Sequence, residues 1–368
     1  MKVLITGSKG FIGTNLIQIL KLKKNIEILE FHKKDKIKKL FNLIKDADFI
    51  FHLAGVNRTT KKKDAFQFNY KITKKICDIA SKTNKKIPIL FTSSQQVLLK
   101  NSYGISKRKS EQVLINYKKK TGAKIFIYRL PNVFGKWSKP NYNSVIATFC
   151  YNISRNYPIK IHDKLIVLNL VYIDNVIESF INILFKKKEK KDFFYAKPIY
   201  KVKLTDIVKK INIFKNLKNS LIIENVGSGF LKALYSTYIS FLPKKNVSFS
   251  LKNNLDKRGS FVEVLKTKNS GQFAFFTLNK GLKRGGHYHH TKTEKFLVLH
   301  GKALFRFKNL IKNERFKLVT SEKRPTIVKS IPGWSHDITN IGKDKLIVML
   351  WSNEIFDIKK PDTYESKI

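Results

Sequence analysis

Three groups of residues have types and spacings suited to chemistry. Tyr103 and Lys107 are four residues apart. On a helix that spacing puts both on one face. An ammonium beside a phenol favours the phenolate and lowers a pKa that is about 10 when unperturbed. Tyr103 is therefore expected to act as proton donor to a developing alkoxide. A Tyr-x-x-x-Lys pair can arise by chance in a lysine-rich chain. The upstream run Phe91-Thr92-Ser93-Ser94-Gln95-Gln96 gives it weight, because it reads as a strand ending in hydroxyls. Ser94 is placed to hold a carbonyl oxygen for Tyr103 to protonate.

The second group is Gly7-Ser8-Lys9-Gly10-Phe11-Ile12-Gly13. Its glycines turn the chain tightly and admit a pyrophosphate against free N–H groups at a helix N-terminus. The spacing G-x-x-G-x-x-G is one residue longer than the best-known dinucleotide fingerprint. Its place after an N-terminal strand and before an amphipathic helix supports dinucleotide binding. After the second strand come His32 and Lys33, with Glu30 inside the strand. Basic residues there suit the 2′-phosphate of NADP, so NADPH is the expected cofactor.

The third group is rich in histidine. His287 and His289 are two apart, so a strand would turn both imidazoles to one face. Glu294 follows on the next expected strand, and His336 lies in Pro332-Gly333-Trp334-Ser335-His336. Three imidazoles and a carboxylate suit Zn²⁺, Fe²⁺, Mn²⁺ or Ni²⁺ with positions left open for substrate; zinc is the favoured ion.

The elements that must position these groups change character along the chain. Strands are expected at 2–5, 26–31, 49–53, 87–92 and 124–129, and helices at 11–21, 65–81 and 102–120. That alternation implies parallel βαβ units with both sheet faces covered. Residues 131–241 are less regular. Beyond a boundary at 243–252, short β-rich runs dominate (273–278, 296–299, 303–307, 316–320, 326–328 and 346–351), as in an all-β barrel or sandwich. The expected domains are 1–242 and 253–368, joined by a linker at 243–252.

With the glycine loop, Ser94 and Tyr103-x-x-x-Lys107 in this order, residues 1–242 resemble the extended short-chain dehydrogenase/reductases that modify nucleotide sugars. His52-Leu53-Ala54-Gly55, Asn69, Arg129-Leu130-Pro131-Asn132-Val133-Phe134-Gly135 and Tyr172-Ile173-Asp174 sit where that family has further signatures. The resemblance implies a Rossmann-type α/β fold, with Ser94, Tyr103 and Lys107 as catalytic triad and Leu53, Ala54 and Gly55 at the cofactor. Sugar 4,6-dehydratases of that family carry an Asp-Glu pair after the triad hydroxyl. Gln95-Gln96 stands there instead, and amides cannot do that acid–base work, so reduction or oxidation at a sugar carbon is expected. The pattern G-x5-H-x-H-x4-E-x6-G with a downstream P-G-x2-H-x3-N resembles metal-binding cupins, which fold as small β-barrels. It departs slightly in that Pro332 and Gly333 are adjacent.

The combination resembles the bifunctional capsule-synthesis enzymes and their O-antigen relatives over nearly the whole chain. Ala54-Gly55-Val56-Asn57-Arg58, the stretch from Lys139 to Cys150 with Asn143, and Pro361-Asp362-Thr363-Tyr364 carry that resemblance. It implies substrate contacts at Asn57, Arg58, Asn132 and Asn143. The implied chemistry is C3 epimerisation of a UDP-linked 2-acetamido-2,6-dideoxy-4-ketohexose in the cupin domain, then NADPH-dependent C4 reduction. The product would be UDP-N-acetyl-6-deoxy-L-talosamine, precursor of UDP-N-acetyl-L-fucosamine, made by a homodimer. A single-activity reductase or epimerase with a structural cupin domain is the alternative.

Composition narrows the classes. The chain has 368 residues, 42% of them hydrophobic and 12% aromatic, enough for two folded cores. Cys77 and Cys150 are far apart, so no disulfide framework is expected. Lys and Arg number 74 against 26 acidic residues, a net charge of +48. The excess is diffuse and mostly lysine, whereas base readout leans on arginine. A nucleic-acid partner is not expected; the field instead favours anionic small molecules. Met1-Lys2 runs straight into an apolar strand and no long apolar run follows. Neither signal peptide nor membrane span is expected, and a cytoplasmic enzyme is.

Overall fold

The computed structural model describes residues 1–57, 67–161, 163–185, 191–312, 314–366 and 368. It divides into two units. One holds residues 1–212 and 232–243; the other holds 213–231 and 244–368. The expected boundary near 243 thus needs a correction upstream: residues 213–231 group with the second unit. The reason is backbone pairing, since Ile222–Ile223 joins a strand of that unit in parallel.

In the first unit, β1 (Lys2–Thr6), β2 (Glu27–Phe31), β3 (Phe49–His52), β4 (Ile89–Ser94) and β5 (Ile125–Leu130) alternate with α1 (Phe11–Leu20), α2 (Ile37–Asp46), α3 (Gln67–Ala80) and α4 (Ser102–Thr121). Then come β6 (Asn132–Phe134), α5 (Val145–Ser154), β7 (Val167–Tyr172), α6 (Ile173–Phe185), β8 (Phe193–Phe194) and β9 (Tyr200–Lys203). The main sheet is parallel, in the order β2-β1-β3-β4-β5-β8. Its strands read as apolar runs because both faces are covered. Val3, Ile5, Phe51 and Tyr128 pack under α1 and α6. Leu4, Ile50, Phe91 and Ile127 pack under α2, α3 and α4. Strand order reverses between β1 and β3, and the crevice at such a switch point is where open α/β sheets bind ligands. A smaller sheet, β6-β7-β9, stands beside it.

The helix α7 (Leu204–Ser220) crosses the unit boundary, and α8 (Gly229–Ser240) returns to the first unit. Apart from a 3-10 turn at Lys244–Asn246, the regular elements among the other described residues of the second unit are β-strands. Its strands are β10 (Ile222–Ile223), β11 (Asn253–Asp256), β12 (Gly259–Thr267), β13 (Gly271–Leu278), β14 (Lys283–Tyr288), β15 (Glu294–His300), β16 (Lys302–Asn309), β17 (Arg315–Ser321), β18 (Ile327–Lys329), β19 (Trp334–Asn340), β20 (Leu346–Ser352) and β21 (Tyr364–Glu365). One sheet runs β10-β12-β13-β20-β15-β18 with β11 also on β12; the other runs β17-β16-β19-β14-β21. Phe276, Phe296, Phe305 and Val348 fill the space between them. This two-sheet architecture is the expected cupin class. In the second unit β10, β11, β12, β19 and β21 go beyond the named strand expectations, whereas β14 is expected from the spacing of its histidines alone.

One close approach fixes the start of α4. A Cβ on Gly104 would lie 2.1 Å from the Gln96 carbonyl oxygen and 2.9 Å from that of Leu99. Gly104→Ala should therefore lower the urea unfolding midpoint, by about 1–3 kcal/mol of overpacking. Gly227→Ala, which meets nothing within 4 Å, should stay within about 0.5 kcal/mol.

Candidate functional site

The first unit contains a cleft of about 720 Å³ at the C-terminal ends of β1, β3 and β4. Gly7, Lys9, Gly10, Phe11, Ile12, Gly13, Leu53 and Gly55 line it, together with Ser94, Tyr103, Lys107, Asn57, Asn132 and Asn143. Three of the four expected substrate residues are thus in one cavity with the triad; the fourth, Arg58, lies outside the described residues. Gly7 adopts φ 75°, and a Cβ there would meet Ala54 N at 2.8 Å. The loop and the 53–55 segment touch because residue 7 has no side chain, and this leaves room for a pyrophosphate. Ala54 itself supports the loop, its N–H donating to Thr6 Oγ1 at 3.3 Å. These features fit a dinucleotide.

Tyr103 and Lys107 are brought to Ser94 by α4. Lys107 is buried and its Nζ donates to Thr92 O at 2.7 Å. It lies 4.6 Å from the Phe91 ring centre and 5.9 Å from that of Tyr103. Burial lowers its pKa to about 8, and the Glu111 carboxylate opposes that fall. Ser94 Oγ accepts from Gln96 N–H at 3.2 Å and is also hydrogen-bonded to Tyr103. The expected lowering of the Tyr103 pKa is not found. Burial pushes the phenol up to about 12, although a hydrogen bond with Ser94 pulls the other way. Desolvation of a phenolate outweighs an ammonium that sits beyond the ring and is engaged with a carbonyl. A phenol that stays protonated near neutral pH is still a competent proton donor.

The surroundings hold this group in place. Asn69 Oδ1 accepts from Val56 N at 2.7 Å, and its Nδ2 donates to Val56 O and to Ser106 Oγ, which clamps the 53–57 segment to α4. His52 is fully buried and its pKa falls to about 3, from burial and then from Lys107. Its ring bridges Thr6 Oγ1 at 2.8 Å and Thr73 Oγ1 at 2.9 Å. Thr73 gives its own proton to Asn69 O, so it accepts from His52, and Nε2 carries the imidazole proton. Glu111 and Arg129 form a two-bond ion pair, and Ser93 donates to the same carboxylate at 2.5 Å. No role for this trio was apparent in the sequence. Trp137, Lys139 and Tyr142 also line the cleft. Lys139 and Tyr142 fell within a quoted stretch, but none of the three was named as a site residue.

His32 and Lys33 follow β2 and do not line the cleft. They adjoin Phe31, whose carbonyl accepts from Gly7 N–H at 2.8 Å. The His32 ring lies 3.5 Å from Asp35, an acid that also pairs with Lys39 at 3.1 Å.

In the second unit, His287, His289, Glu294 and His336 converge, with ligand atoms all within 4.8 Å of one another. Glu294 opens β15, His336 lies in β19 and His287 in β14. The strand ends at Tyr288, so His289 sits one residue past it rather than on it. Glu294 Oε2 is 3.1 Å from both His289 Nε2 and His336 Nε2. His289 Nδ1 faces Asp362 O at 2.6 Å. A carbonyl only accepts, so Nδ1 carries a proton, which leaves Nε2, facing the Glu294 carboxylate, as the nitrogen able to ligate. A cation among these atoms satisfies both, and the Nδ1 bond is the usual outer support of a ligating histidine. His336 Nδ1 is buried with no hydrogen-bond partner. Burial and the neighbouring His336 hold the His287 pKa down to about 4, keeping its ring neutral and able to ligate. The donor set fits a divalent metal.

Asp362 had no assigned role in the sequence. Its carboxylate accepts from the backbone N–H groups of His290, Thr291 and Lys292 at 2.8–2.9 Å and from Thr291 Oγ1. Burial opposes ionisation, but these bonds hold the carboxyl well below its usual range.

Comparison with known proteins agrees with this division. Residues 3–195 match the NAD dependent epimerase/dehydratase family, and residues 254–364 match the polysaccharide biosynthesis C-terminal domain. The chain is 45% identical, over 100% of its own length and 99% of the other's, to UDP-2-acetamido-2,6-beta-L-arabino-hexul-4-ose reductase of Pseudomonas aeruginosa. The crystal structure of capsular polysaccharide assembling protein CapF from Staphylococcus aureus superposes with a TM-score of 0.92 at 38% identity, covering 100% of both chains. UDP-glucuronic acid 4-epimerase of Bacillus cereus shares the fold alone, with a TM-score of 0.56 at 18% identity over 66% of this chain and 96% of that one. The family implies a nicotinamide cofactor, for which the glycine loop has the room. Among the described residues no helix is long and apolar enough to cross a membrane. By sequence, fold and the lining of its cleft, the chain belongs to the NAD-dependent epimerase/dehydratase family, with a polysaccharide biosynthesis C-terminal domain attached.

Proposed function

We propose that this chain is a bifunctional nucleotide-sugar enzyme of polysaccharide synthesis. It inverts C3 of a UDP-2-acetamido-2,6-dideoxy-4-ketohexose in the second unit and reduces C4 in the first. The product is UDP-N-acetyl-6-deoxy-L-talosamine, precursor of UDP-N-acetyl-L-fucosamine. The observation that carries the reading is the presence on one chain of two chemically different cavities: a Ser94–Tyr103–Lys107 cleft and a three-histidine, one-glutamate cluster. The full-length reductase relative supports the 4-ketosugar as substrate.

When bound, NADPH supplies hydride and the divalent ion, zinc by preference, supplies Lewis acidity. In the reductase cleft, Ser94 donates to the ketone oxygen and Tyr103 protonates that oxygen as C4 gains hydride. Lys107 holds positive charge beside the phenol and stabilises the phenolate left behind. Gln96 lines this cleft where a dehydratase has an acid, so protonation of the carbonyl is not coupled to elimination. In the second cavity, the 4-keto group acidifies C3–H, and inversion requires that proton to leave and return on the opposite face. Phe276, Phe296 and Ile338 line that cavity and keep bulk water from the enolate. We assign NADPH over NADH to His32 and Lys33, which follow β2 next to Phe31, the residue that accepts from Gly7 of the glycine loop, and suit a 2′-phosphate.

Tyr103→Phe should lower kcat for NADPH oxidation about 10²–10⁴-fold while leaving NADPH binding intact; near-normal turnover would remove Tyr103 from the proton-transfer step. Replacing His32 and Lys33 together by Ala should raise KM for NADPH by about tenfold or more, the equivalent of one lost charge-assisted contact, and leave KM for NADH little changed. An equal change for both cofactors refutes the assignment. His287→Ala should lose bound metal and stop deuterium incorporation at C3, yet still reduce a substrate supplied with C3 inverted. Circular dichroism must accompany the assay, because metal binding can couple to folding. Wild-type exchange in a folded, metal-free variant would leave the ion only a structural role.

A further inference from the structure

The strand that carries His287 also carries Arg284, three residues earlier. In a regular strand an odd spacing sends two side chains to opposite faces. Here the pairing with β19 slips: Arg284 is opposite Ile338 and His287 opposite His336, so three residues of β14 span two of β19. The slip falls at Gly285 and Gly286, with φ of 103° and 78°. A Cβ on Gly285 would lie 2.6 Å from His336 O, so only glycine fits. This bulge turns Arg284 to the same side as His287, and both line one cavity of about 380 Å³.

Arg284 is under-satisfied there. Its Nε is buried without a hydrogen-bond partner. Its guanidinium reaches Asp256 only at 3.3 Å, because Arg258 already takes that carboxylate at 2.6 and 3.2 Å. One carboxylate therefore serves two guanidiniums at the cavity wall. The acids that line the cavity are committed elsewhere: Glu263 pairs with Lys266 at 2.9 Å, and Glu294 belongs to the histidine–glutamate cluster. A cation left partly unpaired at a cavity wall calls for an anion.

We infer that Arg284, with Arg258 beside it, binds the diphosphate of the nucleotide sugar in the second cavity. The inference rests on the epimerase reading above. The second unit then holds its substrate by the nucleotide diphosphate as well as by the sugar, independently of the reductase cleft. Arg284 and His287 face partners two residues apart on β19, about 7 Å along the strand. That is close to the span of a hexose from its C4 oxygen to the phosphorus on its anomeric oxygen. A planar guanidinium suits two phosphate oxygens better than an ammonium does.

The test uses the full chain, without NADPH, in D₂O. Deuterium uptake at C3 is followed for the UDP-linked 4-ketosugar and for the same sugar without its diphosphate. Arg284→Gln should raise KM for the UDP-linked sugar at least tenfold with kcat within twofold, and leave the rate on the bare sugar unchanged. Arg284→Lys should fall between. Metal content and circular dichroism matching the parent chain show that the site is intact. An unchanged KM, or an equal loss on both sugars, overturns the diphosphate assignment while the epimerase reading stands. No exchange by the parent chain overturns that reading and the inference with it.

Discussion

The first unit is organised around a buried ammonium. Lys107 sits in the core with a carbonyl and two aromatic rings as its neighbours, and among the described residues it forms no salt bridge. An isolated buried charge is unfavourable unless its surroundings are fixed around it. Those surroundings are the features that give the unit its shape. The helix α4 closely approaches the turn that follows β4 through Gly104, Asn69 ties the segment after β3 to that helix, and Glu111 one turn along supplies negative charge at a distance. Arg129 and Ser93 take up the Glu111 carboxylate, so the compensating charge is itself satisfied. The parallel sheet presents these groups because β3, β4 and β5 all end on the same side.

The second unit solves a different problem, that of bringing four electron-pair donors together. Glu294 Oε2 lies 3.1 Å from both His289 Nε2 and His336 Nε2, and a cation among them would use the lone pairs of all four side chains. The ligands come from β14, from the segment just past it, and from β15 and β19. Packing of the two sheets brings these elements together. The apolar layer of Phe296, Phe305 and Phe307 forms one wall beside His336. The candidate ligand cluster and the sheet packing therefore depend on the same strands.

Much of this was legible in the sequence. The apolar runs of β1, β3, β4 and β5 announce buried parallel strands, and the glycine loop, Ser94, Tyr103 and Lys107 stand in the order the fold needs. Of the two ligand-bearing strands β14 and β19, which read KRGGHY and WSHDITN, the first showed only through its histidine spacing and the second escaped notice. They are polar because their inward positions hold ligands instead of core, which removes the pattern by which strands are recognised. The Gly285-Gly286 bulge was invisible for a related reason: two glycines signal a turn as readily as a slip in register. The Tyr103 pKa was misjudged because spacing on a helix says nothing of desolvation. The placement of residues 213–231 with the second unit rests on a two-residue strand, too short for any periodicity.

The Asp362 clamp has a consequence for biosynthesis. His289 and the residue that holds its ring are 73 positions apart. At ribosomal rates of about 5–20 residues per second, the histidine segment waits roughly 4–15 seconds before its anchor is made. During that interval β14 also lacks its partner β21, and Lys292 lacks the Pro361 and Thr363 oxygens it will hold. The ligand loop of a nascent chain is thus exposed and unanchored while the reductase unit upstream can already fold. Any ion held by this cluster would meet its complete, anchored donor set only after residue 362 has been added.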